Sequence, residues 1–495
     1  MAIPAECFVL DPDDRGTLQR QIQHLVTAGI LSGRFRKGDR LPSSRALARH
    51  LGISRITVTL AYTDLVAGGY LSAQGRSGYF VSPDAPQPPA FPGRADASSE
   101  RRAAGDVDWS RILGQRYPPG HALARPEDWR RYRYPFIYGQ ADPRLFDHAN
   151  WRRCALAALG QRDFETLTGD SYGRDDPLLV EQIIRHILPR RGIQARPEEV
   201  LLTMGAQNAL WMLAQVLLTQ RRTAVMEHPC YPALRDILTL SRCNTRAVAV
   251  DENGLPPEDV PPETDVLFCT PSHHCPTSAT MPLARRRALL ARADADDFLI
   301  VEDDYEFELA FIGSPSPALK SLDRSGRVAY IGSFAKSIFP GLRLGYVVAP
   351  EPLVEEVRQL RGLVLRHVPG HLQRATAYFL ARGHYDAQVA RMARTFRDRR
   401  TVAETAIDAH GLDVDGRNTF GGSSFWMRAP DGLSARRLAE RLRPRGVLIE
   451  PAAAFFDERR DPGQHYRLAY SSIAASDIPE GIRRIGELSR KRSVA

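Results

Sequence analysis

Four apolar runs in the middle of the chain constrain its fold more than any other feature. TAVMEH (223–228), DVLFCT (265–270), DFLIVEDD (297–304) and RVAYIGS (327–333) are each closed by polar or turn residues. They recur at intervals of roughly 30 to 40 residues, with amphipathic stretches such as PLARRRALLARADA (282–295) between them. Continuous apolar strands joined by helical crossovers make a mostly parallel sheet covered on both faces. Ligands of such sheets bind beyond the carboxyl ends of the strands, so chemistry is expected at the tails of these runs.

A change of character separates this region from the amino end. SPDAPQPPAFPGRADASSERRAAG, which starts at Ser82, is rich in Pro, Ala, Ser and Gly and has neither helical nor strand period. That is the composition of a linker, over 83–126. It divides a small unit, 12–82, from a large one, 127–495, whose lobes are expected at about 150–370 and 371–495. The greasiest stretch, 201–218, contains Gln207, Asn208 and Gln215, which argues against a membrane span and for a buried helix. Six scattered cysteines without a CxxC pair argue against a disulfide framework and against zinc. The opening MAIPAECFVLDPDD is acidic and has no apolar segment, unlike a signal peptide, so the cytoplasm is the expected location. A net charge of +9 is compatible with nucleic acid without requiring it, and residues 1–82 hold ten Lys and Arg against six Asp and Glu.

Within the small unit Leu18, Ile22, Leu25, Val26 and Ile30 share one face of a first helix that ends at Ser32-Gly33. Ser43 caps a second helix, marked by Ala46, Leu47 and Leu51 and stopped by Gly52. Ser54 caps a third, with Ile56, Val58, Ala61, Tyr62 and Leu65 as its apolar stripe. GYLSAQGRSGYFVS alternates about Gly75 and Gly78 like a two-stranded hairpin. Helix, helix, tight turn, helix and hairpin is the order of a winged helix-turn-helix. Ser54, Arg55, Thr57 and Thr59 are left exposed where the third helix begins, suited to phosphates and base edges in a major groove. A protein-interaction module with solvated arginines is the other reading of the pattern. LPSSRALARHLGISRITVTLAYTDLVAGGYLSAQGRSGYFV resembles the DNA-reading domain of GntR-family transcription regulators, over residues 12–82. The resemblance implies double-stranded DNA as partner, with Arg45, Arg55 and Thr57 as contacts beside Ser43 and Ser54, and Gly78 as the wing tip.

In the large unit Lys336 follows the last apolar run within GSFAKSIFPGLRLGY. Taken alone it reads as a solvated loop residue, but Ser333 and Arg343 can converge on a phosphate beside its amine. DFLIVEDDYEFE places Asp303 and Tyr305 where a buried strand emerges, next to Glu302 and Asp304. Clustered carboxylates suit magnesium or a solvated acidic turn; a buried one also suits a protonated pyridine nitrogen. Lysine for a Schiff base, aspartate for a ring nitrogen, tyrosine for a ring oxygen and Ser plus Arg for phosphate form the pyridoxal phosphate inventory. LLTMGAQNALWML sets Gly205, Ala206 and Gln207 at a helix start, where backbone N–H groups favour phosphate. EHPCYP puts Tyr231 beyond another strand end, either stacked on an aromatic ring or buried as a core aromatic.

Together these segments resemble fold-type I aminotransferases from about Tyr132 to the carboxyl end. A GntR-type head, a Pro-rich linker and an aminotransferase-like body, in that order, resemble the MocR subfamily of bacterial regulators. The resemblance implies Lys336 as the aldimine lysine, Asp303 as partner of the pyridine nitrogen, Tyr305 on the ring oxygen, Tyr231 stacked on the ring, and Ser333 and Arg343 on the phosphate. Arg467, in HYRLAYSS, matches the arginine that grips an amino-acid ligand's acidic group; a surface ion pair is its plainer reading. Where family members usually carry TPSHQxPTG this chain has TPSHHCPTS (270–278). Cys275 stands where aminotransferases keep an Asn, Ser278 replaces a glycine, and Ala335 replaces a Ser or Thr. His273, His274 and Cys275 are adjacent and cannot all face one ion, so no metal is expected.

The resemblance therefore implies a regulator whose pyridoxal phosphate-bearing body senses an amino compound and controls catabolic genes, with at most residual transaminase chemistry. A homodimer is implied, with heads exchanged head-to-tail between protomers. Two other functions remain: a working aminotransferase with a DNA-binding head, and a regulator for which pyridoxal phosphate is itself the signal. ILSGRFRKGDRLPSSRALA, TMGAQNALW and DDPLLVEQIIRHILPRRGI look most like regulators of ectoine or taurine catabolism, and an ectoine-derived diamino acid is placed ahead of taurine.

Overall fold

The computed structural model describes residues 2–14, 16–86, 108–114, 126–140, 142–170, 173–313, 316–416, 421–457 and 462–490. The chain forms two compact units, Met1–Arg116 and Tyr117–Ala495. The division falls within the stretch expected as a linker, most of which (87–107 and 115–125) lies outside the described residues.

In the first unit α1 (Leu18–Leu31), α2 (Ser44–Leu51) and α3 (Arg55–Ala67) are followed by the antiparallel strands β1 (Leu71–Ala73) and β2 (Tyr79–Val81), the winged helix-turn-helix order. Ser43 Oγ accepts from the Ala46 N–H at 3.1 Å and Ser54 Oγ from the Ile56 N–H at 3.2 Å, which satisfies the first orphan amides of α2 and α3. Gly52 ends α2 with φ 66°, a left-handed turn that glycine adopts without cost. The core is built from Ile22, Val26, Ile30, Leu47, Val58, Ala61, Tyr62 and Leu65, with Phe8 closing it from the amino end. Three residues assigned to the apolar sides of these helices lie outside it, Ala46 among them, exposed on α2. Leu18 is exposed at the first position of α1, and Ile56 is 71% exposed. At about 100° per residue Ile56 lies roughly half a turn from Leu65 and more than a quarter turn from Val58, Ala61 and Tyr62, so the core cannot reach it.

The second unit is a fold-type I aminotransferase-like α/β domain around a seven-stranded sheet. Its strands are β4 (Val200–Thr203), β5 (Thr223–His228), β6 (Asn244–Ala249), β7 (Val266–Cys269), β8 (Leu299–Asp303), β9 (Val328–Ser333) and β10 (Gly345–Val348), numbered after the short β3 (Tyr134–Pro135). Their order is β4-β10-β9-β8-β7-β5-β6. All four apolar runs are strands and lie side by side. Strands β5 to β9 pair in parallel, whereas β10 runs antiparallel to both neighbours. Residues 334–344 are too few for the crossover that a parallel β10 would need. Alternate strand residues enter two separate cores, Ala224 and Met226 with Leu213 on one face, Val225 with Leu289 on the other. The carboxyl ends of β4, β5, β7, β8 and β9 therefore share one edge with the start of β10.

A second sheet, β11 (Asp413–Gly416), β12 (Ser424–Arg428), β14 (Glu450–Pro451) and β15 (His465–Ala469), is antiparallel in the order β11-β12-β15-β14. It packs on the helices His384–His410 and Ile478–Arg490. Beside it β13 (Val447–Leu448) pairs in parallel with β3, so Tyr134 and Phe136 join this lobe's core although they precede the large sheet in the chain. Among the described residues no helix is long and apolar enough to cross a membrane.

Candidate functional site

The shared edge of the large sheet opens into a cavity of about 290 Å³. All nine body residues expected at a cofactor site line it: Gly205, Ala206, Gln207, Tyr231, Asp303, Tyr305, Ser333, Lys336 and Arg343. Arg467 lines it as well, from β15 of the other sheet.

Each position follows from local chain geometry. Gly205, with φ 84°, turns the chain from β4 into the helix Ala206–Leu217, so the free amides of that helix face the cavity. A Cβ on Gly345 would lie 2.8 Å from the Gly332 oxygen and 3.0 Å from the Gly205 Cα. Only glycine lets β9, β10 and that helix start approach so closely. Arg343, two residues earlier, is left-handed with φ 52° and donates from Nη2 to the Met204 carbonyl at 3.1 Å. A non-glycine residue held there costs about 1–2 kcal/mol, which marks a position fixed by its surroundings. Ser333 Oγ accepts from the Ala335 N–H at 3.2 Å, and Tyr231 donates its hydroxyl to Gln207 Oε1 at 3.2 Å.

Strand alternation sorts the acidic cluster. Asp303 faces the cavity, while Glu302 accepts from the Leu319 and Lys320 amides and Asp304 pairs with Arg191 at 2.6 Å behind the sheet. A magnesium site built from these three carboxylates is thereby dismantled. The adjacent histidines part in the same way, His273 to Glu306 at 3.0 Å and His274 Nδ1 to Thr277 Oγ1 at 2.7 Å. Ser278, buried at φ 65°, holds a left-handed turn better suited to the glycine it replaces.

Burial dominates the electrostatics. It pushes Asp303 up to about 7, aided by Asp304 and opposed by Lys336. It pulls Lys336 down to about 8, against the pull of Glu306. Cys275 is pushed up to about 11 and Tyr231 to about 12, again by burial. Burial would raise Glu306 too, but His273, Lys336 and Ser423 hold it below its ordinary value.

Arg467 is a buried ion pair, not a surface one. Its Nε donates to Glu450 Oε2 at 2.9 Å, and its guanidinium lies 3.8 Å from the Tyr138 ring centroid and 4.9 Å from that of Phe455. Tyr138 also faces the Lys336 ammonium nitrogen at 4.0 Å. Tyr138, Glu306 and Glu450 were not singled out from sequence. Glu306 belongs to the acidic stretch DDYEFE, whereas nothing in YPFIYGQ or LIEP marks the other two; tertiary approach alone brings them here.

The residues fit pyridoxal phosphate. Among the described residues Asp303 Oδ1 is buried without a hydrogen-bond partner, as a carboxylate awaiting a protonated ring nitrogen would be. Helix amides, Ser333 and Arg343 supply donors for a phosphate. Arg467 Nη2 is likewise buried and unpartnered among the described residues.

In the head Arg45, Arg55 and the capping serines are exposed, and Thr57 is half-buried. Arg55 Nε donates to Ser44 Oγ at 3.4 Å, which ties the start of α3 to α2. Gly78, with φ 103°, follows the turn Gly75–Ser77 and lies against the Arg40 guanidinium, a cation not marked from sequence.

Comparison with known proteins agrees with both halves. Residues 146–485 match the aminotransferase class I and II family and residues 18–81 the gntR family of bacterial regulatory proteins. The chain is 57% identical over 493 residues to the HTH-type transcriptional regulator TauR of Rhodobacter capsulatus, spanning 99% of this chain and 100% of that protein. It is 31% identical over 480 residues to the probable rhizopine catabolism regulatory protein MocR of Rhizobium meliloti, spanning 96% and 94%. LysN, an alpha-aminoadipate aminotransferase of Thermus thermophilus solved with N-(5'-phosphopyridoxyl)-L-leucine, superposes with a TM-score of 0.67 at 27% identity, over 78% of this chain and 98% of that one.

Proposed function

The chain belongs to the aminotransferase class I and II family with a gntR-family head, a pyridoxal phosphate-binding transcription regulator of catabolic genes, and on that premise we propose that it senses a small amine with an anionic tail. Lys336 and Arg467 lining one cavity, with Tyr138 against both, is the observation that carries this reading. Taurine is placed ahead of an ectoine-derived diamino acid, reversing the order drawn from sequence, because of the 57% identity to TauR.

Pyridoxal phosphate, when bound, supplies an aldehyde that condenses reversibly with primary amines. Ser333, Arg343 and the helix start at Gly205, Ala206 and Gln207 would hold its phosphate, Asp303 its ring nitrogen, Tyr305 its ring oxygen and Tyr231 its face. Lys336 is the chain's own amine, and burial keeps a share of it uncharged near neutral pH. Arg467 takes the effector's anionic group while Glu450 holds the guanidinium in place. Arg45, Arg55 and Thr57, with Ser43, Ser54 and Gly78, contact the DNA duplex. The chain works as a homodimer, for which Leu156, Leu159 and Phe164, large and exposed on and between the helices His148–Ala158 and Gln161–Leu167, supply apolar surface.

Taurine added to the protein loaded with pyridoxal phosphate is expected to change both its absorbance and its affinity for promoter DNA. A DNA affinity indifferent to taurine would overturn the effector assignment. Sustained turnover of both half-reactions with an amino donor and a keto acid would make the body an enzyme.

A further inference from the structure

A single exposed isoleucine on a protein surface needs no explanation. Ile56 is set apart by where it stands. It is the second residue of α3, 71% exposed, directly after the exposed Arg55 whose Nε is tied to Ser44 beside Arg45. One turn on, Leu60 is 49% exposed, on the same side of the helix at about 40° from Ile56. The threonines of that side do not make it polar. Thr59 donates its hydroxyl to the Arg55 carbonyl and Thr63 to the Thr59 carbonyl, each at 2.9 Å, so both hydroxyls are turned back onto the helix. The outward side of α3 at its amino end is thus a strip of methyl groups beside the exposed Arg55.

Such a strip is out of place against phosphate and against most base edges, which offer hydrogen-bond donors and acceptors. The major groove carries one apolar group, the C5 methyl of thymine. Resting on the DNA-binding reading of this head, we propose that Ile56 is a specificity-determining residue that packs on a thymine methyl in each half-site. Arg45 and Arg55 supply the anchoring beside it through phosphates and base edges. Charge complementarity selects DNA as the occupant: an apolar protein partner would have to bury the exposed Arg55 beside the strip.

Full-length protein, with its cofactor, is used to select a bound duplex from a random pool. Each thymine of that duplex is then replaced in turn by deoxyuridine, which lacks only the methyl. At one position per half-site the wild-type affinity is expected to fall about four-fold, the worth of one buried methyl-sized group. Ile56→Ala is expected to bind the thymine and uracil duplexes equally there, while keeping its yellow absorbance, its oligomeric state and its salt dependence. Ile56→Val is expected to keep part of the discrimination. A wild type indifferent to every thymine-to-uracil exchange overturns the proposal, as does an Ile56→Ala protein that still discriminates at the same position. A change of oligomeric state in Ile56→Ala overturns it in favour of a protein contact. Failure of the wild type to select any duplex overturns the DNA-binding reading itself, and this proposal with it.

Discussion

Lys336 has a nitrogen buried near groups of both signs, and the balance matters. Its pKa of about 8, set first by burial, lies below the ordinary 10.5, so the folded protein binds fewer protons than the unfolded chain between those values. Its contribution to stability therefore rises with pH across that window. The rate at which protein stripped of cofactor takes up pyridoxal phosphate, followed by absorbance, is expected to climb to a plateau just above pH 8; a rise continuing to pH 10 would contradict the lowered value. Arg467 and Glu450 give a second prediction. Arg467→Ala leaves a buried carboxylate unpaired and is expected to cost about 3 kcal/mol in urea unfolding, with much of it recovered when Glu450→Gln is added. Residues such as Lys336, Asp303 and Tyr231 could be found from sequence because each follows an apolar run whose end places it. Tyr138 and Glu450 could not, because their neighbours arrive from distant parts of the chain. Ile56 is apolar but stands more than a quarter turn from the buried stripe it adjoins in sequence, so apolar character alone does not place it in the core.

The elements themselves were more legible. All four apolar runs became adjacent strands, and α2 and α3 began at the serine caps expected for them. The reversed β10 was not foreseen, since RLGYVV looks the same in either direction and direction depends on the length of the preceding connection. That reversal brings Arg343 to the edge where the parallel strands end, and Gly345 is its tightest point. Gly345→Ala is expected to destabilise the body by about 2–3 kcal/mol in denaturant unfolding and to weaken cofactor uptake, because the new methyl would meet backbone, not a side chain that can swing aside. An unchanged midpoint would mean that β9 and the 206–217 helix yield more easily than their packing suggests.

For the whole molecule, two units that each own a core predict separable losses. Lys336→Ala is expected to keep duplex affinity within about two-fold while losing the absorbance band and the response to taurine, read by fluorescence anisotropy. Arg55→Ala should leave the band and weaken duplex binding, with the slope of log affinity against log salt falling by about one if the contact is to phosphate. The net charge of +9 contributed little to any of this. Early in the second unit Trp129 is buried against Ile137 and Leu448, β3 pairs with β13, and three residues later Tyr138 lies against both Lys336 and Arg467. The stretch that leads in is thus also a wall of the sensing chamber. A chimera that grafts a new head onto this body must be joined upstream of Pro126; joined at 140, it would acquire a new promoter and lose its sense of taste.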